Sequence, residues 1–183
     1  MARRLIILAL SLLAVSRADA ASFFPQADGT TWEYRQTGAE SDRLVVRITG
    51  RETLNGTEML KVETTAGDEV VKTDFMTADD RGLLCHQRRS GDGAPVVFDP
   101  PRVLVSLPLR VGRTWEFEDD VGSGVIRQPL KIVAEEVVVV PAGTFRAYHL
   151  HCEQPWPMST ALDRWFAPGT GFVKEIITTR GPG

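Results

Sequence analysis

The sequence predicts an all-β domain, an antiparallel sandwich or an open half-barrel built from two related halves. Three observations predict it. After position 20, apolar residues recur with period two or in short runs bounded by Gly, Pro, Asn and Asp. No segment there carries an amphipathic stripe over the roughly 11–18 residues that mark a helix. Finally, Gly29-Thr30-Thr31-Trp32-Glu33-Tyr34 recurs as Gly112-Arg113-Thr114-Trp115-Glu116-Phe117, at an offset of 83 residues.

The chain opens on an address. Arg3 and Arg4 give a positive start, Leu5 to Val15 is an apolar run broken only by Ser11, and Ala18-Asp19-Ala20 supplies small residues for cleavage. This is the pattern of a secretory signal peptide over residues 1–20. The apolar run has 11 residues, against roughly 20 for a bilayer-spanning helix, so no membrane span is expected. No cysteine adjoins the cut, which removes the lipid-anchored variant of this signal. The remaining 163 residues, 21–183, are expected to form one domain with its own core. Losing three arginines and one aspartate with the leader moves the formal charge from −3 to −5. Such a mildly acidic chain does not hold DNA or anionic membranes by charge, so no nucleic-acid partner is expected. The expected location is the periplasm or the extracellular medium, in soluble form.

Within the domain, Leu44 to Ile48 is β-branched and strand-like, and Met59 to Glu63 alternates. Asn55-Gly56 between them is a tight-hairpin signal, because both central positions of that turn need positive φ. Thr57 completes a glycosylation match, but the turn explains Asn55 without a host. Ile132 to Val140 is a further strand, Pro141-Ala142-Gly143-Thr144 breaks it, and Phe145 to Glu153 returns. Each half closes on an aromatic segment leading to a glycine: Asp74 to Leu83 in the first, Arg164 to Phe172 in the second. The half-repeats run over about 23–90 and 108–180, with a connection at about 88–112 that includes a short strand. Each half supplies a sheet with one apolar face, which must be covered. With no helices to cover it, the partner half or the sheet's own curl does so.

Three motifs stand in order: Gly-Thr-x-Trp-x-Tyr (Gly29 to Tyr34), Pro-Ala-Gly-Thr-Phe (Pro141 to Phe145) and Trp-Phe-Ala-Pro-Gly-x-Gly (Trp165 to Gly171). With these the chain resembles a bacterial group of exported β-rich proteins of unknown function. The resemblance implies an antiparallel sandwich or open barrel in the cell envelope, similar in shape to the curved acyl-binding sheets of lipoprotein carriers. It implies no catalytic residues. Many members of the group are lipid-anchored, and this chain lacks the cysteine for that.

Chemistry-bearing residues are sparse. Cys85 and Cys152 either pair across 66 intervening residues, a loop closure worth ~3–4 kcal/mol, or stay as separate buried thiols. His149 and His151 alternate, so they share one face of a strand. A metal reading would need His86 as third ligand, and nothing in the sequence sets its distance. Histidines on a solvent-facing strand explain the same pattern, so no metal or cofactor is expected. Cys85 and His86 are adjacent, so on a strand they point apart and form no thiol–imidazole dyad. Gly122-Ser123-Gly124 is no nucleophile elbow. The acidic pairs Asp79-Asp80, Asp119-Asp120 and Glu135-Glu136 are the candidates for a hydrolase, and Arg81, Arg88 and Arg89 form a modest basic spot. Trp32, Trp115 and Trp156 are the candidate ligand or partner contacts. Trp32 and Trp115 anchor the core or line a cavity between the halves. Trp156, held between Pro155 and Pro157, is displayed to a partner or folds back on the sheet edge. The function expected is that of an exported, non-enzymatic protein binding an apolar ligand, a lipid or an envelope protein. The alternatives are a structural or assembly module and a hydrolase.

Overall fold

The computed structural model describes residues 3–8, 23–37, 43–120, 125–154 and 159–180. Among these there is no helix. The strands are β1 Arg3–Leu8, β2 Thr31–Gln36, β3 Arg43–Leu54, β4 Thr57–Ala66, β5 Glu69–Asp79, β6 Gly82–Ser90, β7 Val96–Ser106, β8 Thr114–Asp120, β9 Val125–Val140, β10 Gly143–Gln154, β11 Ser159–Ala167 and β12 Gly171–Arg180. The spatial order is β7-β6-β5-β4-β3-β2-β1-β12-β11-β10-β9-β8. Two antiparallel leaves result, six strands from β2 to β7 and five from β8 to β12, with β1 pairing with β2 and β12 between them. Strands β7 and β8 do not pair, so the barrel stays open. Of the residues read as a leader, only Arg3–Leu8 are described, and they form β1.

The repeat is structural. Gly29 N–H donates to Ile48 O at 2.8 Å and Gly112 N–H to Ile132 O at 2.8 Å. Ile48 and Ile132 return hydrogen bonds to the carbonyls of Thr30 and Arg113, at 3.0 and 2.9 Å. The pairing of β3 with β4 skips one residue after Ile48, and that of β9 with β10 skips one after Ile132. The final hairpins match as well, each with a register shift, beside Phe75/Met76 and beside Trp165/Phe166. A bulge sharpens the local twist, so the twist is sharpened at these matching places in the two leaves.

Gly56 lies in its turn, with Asn55 at φ 51° and Gly56 at φ 78°, whereas Gly143 opens β10. One expectation is corrected. The connection between halves is not a short strand but β7, eleven residues long, added to the edge of the first leaf. Pro100 and Pro101 sit within it because an edge strand has N–H groups that need no ladder partner.

The inner faces of both leaves share one core. Ile48, Leu60, Leu83 and Val105 of the first leaf and Ile132, Leu150 and Phe166 of the second are almost fully buried in it. Each contributes about 1.5–3 kcal/mol of burial. Side chains alternate across a strand, so the opposite face of the second leaf carries a separate cluster: Val138, Val140, Ala147, Trp165, Ala167 and Val173.

The repeated tryptophans stitch the two seams. Trp32, on the first strand of its leaf, donates its indole N–H to Thr170 O in the β11–β12 turn at 2.6 Å. Tyr34 donates to Phe172 O at 3.2 Å. Trp115, on the first strand of the other leaf, donates to Val103 O of β7 at 2.8 Å. Arg113 supports this second seam with hydrogen bonds of 2.9 and 3.2 Å to Ser106 Oγ. Each indole therefore crosses to the opposite leaf.

Candidate functional site

A cavity of about 300 Å³ opens between the leaves. Its wall is mostly apolar. Trp32 and Tyr34 come from β2, Leu44 and Val46 from β3, Val62 from β4, Met76 from β5 and Leu83 from β6, with Phe172 and Ile177 facing them from β12. Alternation puts these residues on the inner face. Phe24 stacks on Trp32, with ring centroids 5.6 Å apart, and lines the same cavity.

A polar patch interrupts this wall. Asp74, on β5, is buried. It accepts from Arg88 Nε at 2.6 Å and from Lys72 Nζ at 3.1 Å. Burial raises the Asp74 carboxyl, but the charge of Lys72 and the hydrogen bond and charge of Arg88 outweigh it, so it lies below the usual carboxylate value. Across the cavity Arg164 pairs with Glu175. Burial and the Glu175 charge push the Tyr34 phenol up, so it remains a donor at every physiological pH. Among the described residues, Thr64 contributes a buried hydroxyl to the cavity wall that has no hydrogen-bond partner. A buried hydroxyl left unpaired costs roughly 1–3 kcal/mol.

The Asp74 cluster sets an acid limit. A carboxyl whose folded pKa is depressed contributes stability that is complete above the unfolded value and is lost as pH falls through the folded one. The urea midpoint is therefore expected to fall as pH drops below about 3.8, the reference value of this carboxyl. Asp74→Asn should be less stable at neutral pH and show a shallower acid decline. An unchanged acid profile in that variant would assign the decline to other carboxylates.

Of the residues singled out in the sequence, Trp32 lines the cavity and Trp115 does not. The Trp115 indole is turned to the seam because its N–H takes the Val103 carbonyl there. Trp156 lies outside the described residues, as does Gly122-Ser123-Gly124. Cys85 and Cys152 are unbonded and buried, the second of the two readings left open. They belong to β6 and β10, strands of different leaves, and Cys85 directs its thiol to Asp74 and to Gln87 O. Burial and the nearby Asp74 charge push the Cys85 thiol up to about 12, so it is a poor nucleophile.

Among the described residues, Asp79 and the Glu135-Glu136 pair lie on different leaves. Asp79 is held by Arg81 in the β5–β6 turn. Glu135 pairs with Arg146, whereas its neighbour Glu136 accepts from Trp165. The side chains of Asp119 and Asp120 lie outside the described residues. His86 stays on the first leaf, bonded to Thr77 at 2.9 Å, and does not join the other histidines. Asp163 of β11 does. Its Oδ1 lies 2.8 Å from His149 Nε2 and 2.7 Å from His151 Nδ1. Sequence reasoning missed Asp163 and Thr64, since cross-strand register decides both. Comparison with family models, curated proteins and solved structures finds no match to this chain.

Proposed function

We propose that this chain is an exported, non-enzymatic binding protein that holds an apolar ligand or lipid, polar at one end, in the cavity between its leaves. The observation that carries the reading is the Thr64 hydroxyl, buried without a partner in a mostly apolar wall, beside the polar patch of Asp74 and Lys72. Ligand sites combine such walls with a few convergent polar groups, in volumes of roughly 300–1,000 Å³. A ligand head that bonds Thr64 removes its desolvation cost, and the apolar chain fills the space beside Val62, Met76 and Phe172. Export follows from the leader pattern. Its removal would take β1 out of the sheet and leave β2 and β12 joined by the Trp32 and Tyr34 hydrogen bonds.

The test is a titration of the purified protein with long-chain fatty acids and lysophospholipids, including chains brominated near the middle. The expected result is saturable quenching of tryptophan fluorescence by the brominated chain, reduced in Trp32→Phe. Thr64→Val should weaken binding by about fivefold to thirtyfold, the equivalent of one hydrogen bond to a buried partner. Neither quenching nor a shift in melting temperature with any of these lipids would overturn the proposal.

A further inference from the structure

The outer face of the second leaf carries a constellation that the cavity does not use. His149 and His151 alternate with Leu150, whose side chain is in the inner core, so both imidazoles face outward. In the β10–β11 ladder His151 is directly opposite Asp163, and His149 opposite Trp165. The Nε2 of His149, the Nδ1 of His151 and Oδ1 of Asp163 converge on one spot. All three side chains are partly accessible, at 21%, 33% and 23%. We propose that these three residues form a binding site for a divalent transition-metal ion of the zinc, nickel or copper class.

The donor chemistry fits. Two neutral imidazoles and one carboxylate suit borderline cations rather than calcium or magnesium, which take oxygen shells. Zinc bonds of about 2.0–2.1 Å in a tetrahedral shell place donors about 3.3–3.4 Å apart. The hydrogen bonds of 2.7 and 2.8 Å must therefore lengthen by about half an ångström. Without a metal, protons bridge the same three donors. Three protein donors leave a fourth position for water.

A stacked ring fixes His149, and a carboxylate lies beyond the outer nitrogen of each imidazole. The His149 ring stacks on Trp165, with centroids 4.4 Å apart and planes at 16°. Its Nδ1 lies 3.7 Å from Glu136 Oε1, and Glu136 is itself fixed by the Trp165 indole N–H. The second nitrogen of His151, Nε2, lies 3.7 Å from Glu153 Oε1. At 3.7 Å neither carboxylate hydrogen-bonds its ring, but each lies within a small shift of accepting the outer N–H of a metal-bound imidazole. Two cations stand nearby: Lys174, over the Trp165 ring at 4.4 Å, and Lys131, the ladder neighbour of His151. They lower the affinity but supply no competing ligand.

The experiment uses tag-free full chain, with zinc measured by competition against a chromophoric chelator and copper by quenching of tryptophan fluorescence. One equivalent of zinc at micromolar affinity or tighter is expected, with a chelator-reversible rise in melting temperature. Copper should quench Trp165, which stacks on a ligand ring, and Trp165→Phe should lose most of that quenching. His149→Ala, His151→Ala and Asp163→Asn should each abolish the stoichiometric site, and Glu136→Gln should weaken it roughly tenfold. Because Asp163→Asn also removes two hydrogen bonds, its folding is checked by circular dichroism, and His151→Ala serves as the second variant. No stoichiometric zinc in the parent chain, or unchanged binding in folded His149→Ala and His151→Ala, would overturn the proposal.

Discussion

Replacing Trp32 by alanine is expected to destabilise the protein by about 3–5 kcal/mol, the usual cost of truncating a buried large aromatic. Trp32 is 3% exposed. The substitution removes its stacking on Phe24, worth about 0.5–1.5 kcal/mol beyond burial. It also removes the hydrogen bond that ties β2 to the β11–β12 turn. That turn is shaped around the indole. Gly171 has φ 104°, and a Cβ there would lie 3.3 Å from Trp32 Nε1. The same substitution at Trp115, which is half-buried at the other seam, should cost less. Urea denaturation of the two variants checks this. A Trp32→Ala midpoint equal to or above that of Trp115→Ala would contradict the view that the first seam holds the leaves together.

Gly82→Ala is expected to disrupt the edge of the first leaf. Gly82 opens β6 at φ +140°, and a Cβ built on it would lie 1.9 Å from the Val105 carbonyl oxygen and 3.2 Å from Ser106 Cα. These are backbone atoms of β7, which pairs with Gly82 at Ser106, so no rotamer change relieves the contact. The strained backbone alone costs about 1–3 kcal/mol, and separation of β6 from β7 is added to it. A total above roughly 4 kcal/mol is expected, in the range of the most damaging single substitutions. Gly29→Ala is the control, because Gly29 has φ +83° but open space at its Cβ position. It should cost only about 1–2 kcal/mol, the price of a left-handed alanine. Thermal melts of the two variants separate the contributions. Equal losses would show that conformation rather than the Val105 contact governs position 82.

Much of the fold was legible because it is local. Period-two apolar residues name strands such as Met59 to Glu63, and Asn55-Gly56 names its turn, since each depends only on neighbours in the chain. The repeat was legible because Gly29 to Tyr34 and Gly112 to Phe117 meet the same backbone demands. The extent of β7 was not legible. Pro100 and Pro101 look like a break when seen locally, and only an edge position makes them acceptable. The site was less legible than the fold. Trp32 and Trp115 read alike in sequence, yet one lines the cavity and the other closes a seam, because their indoles meet different carbonyls.

By itself, then, the order of residues determined the strand class, the two leaves and the equivalence of their first strands. Hydrogen-bonding period and turn chemistry act over a few residues and leave a direct trace in sequence. Tertiary structure alone decided that Thr64 has no partner, that Asp163 meets His149 and His151, and that the cysteines stay apart. Those outcomes depend on ladder register and on which leaf faces which. They bring together groups such as Trp32 and Thr170, far apart along the chain, whose meeting no local pattern encodes.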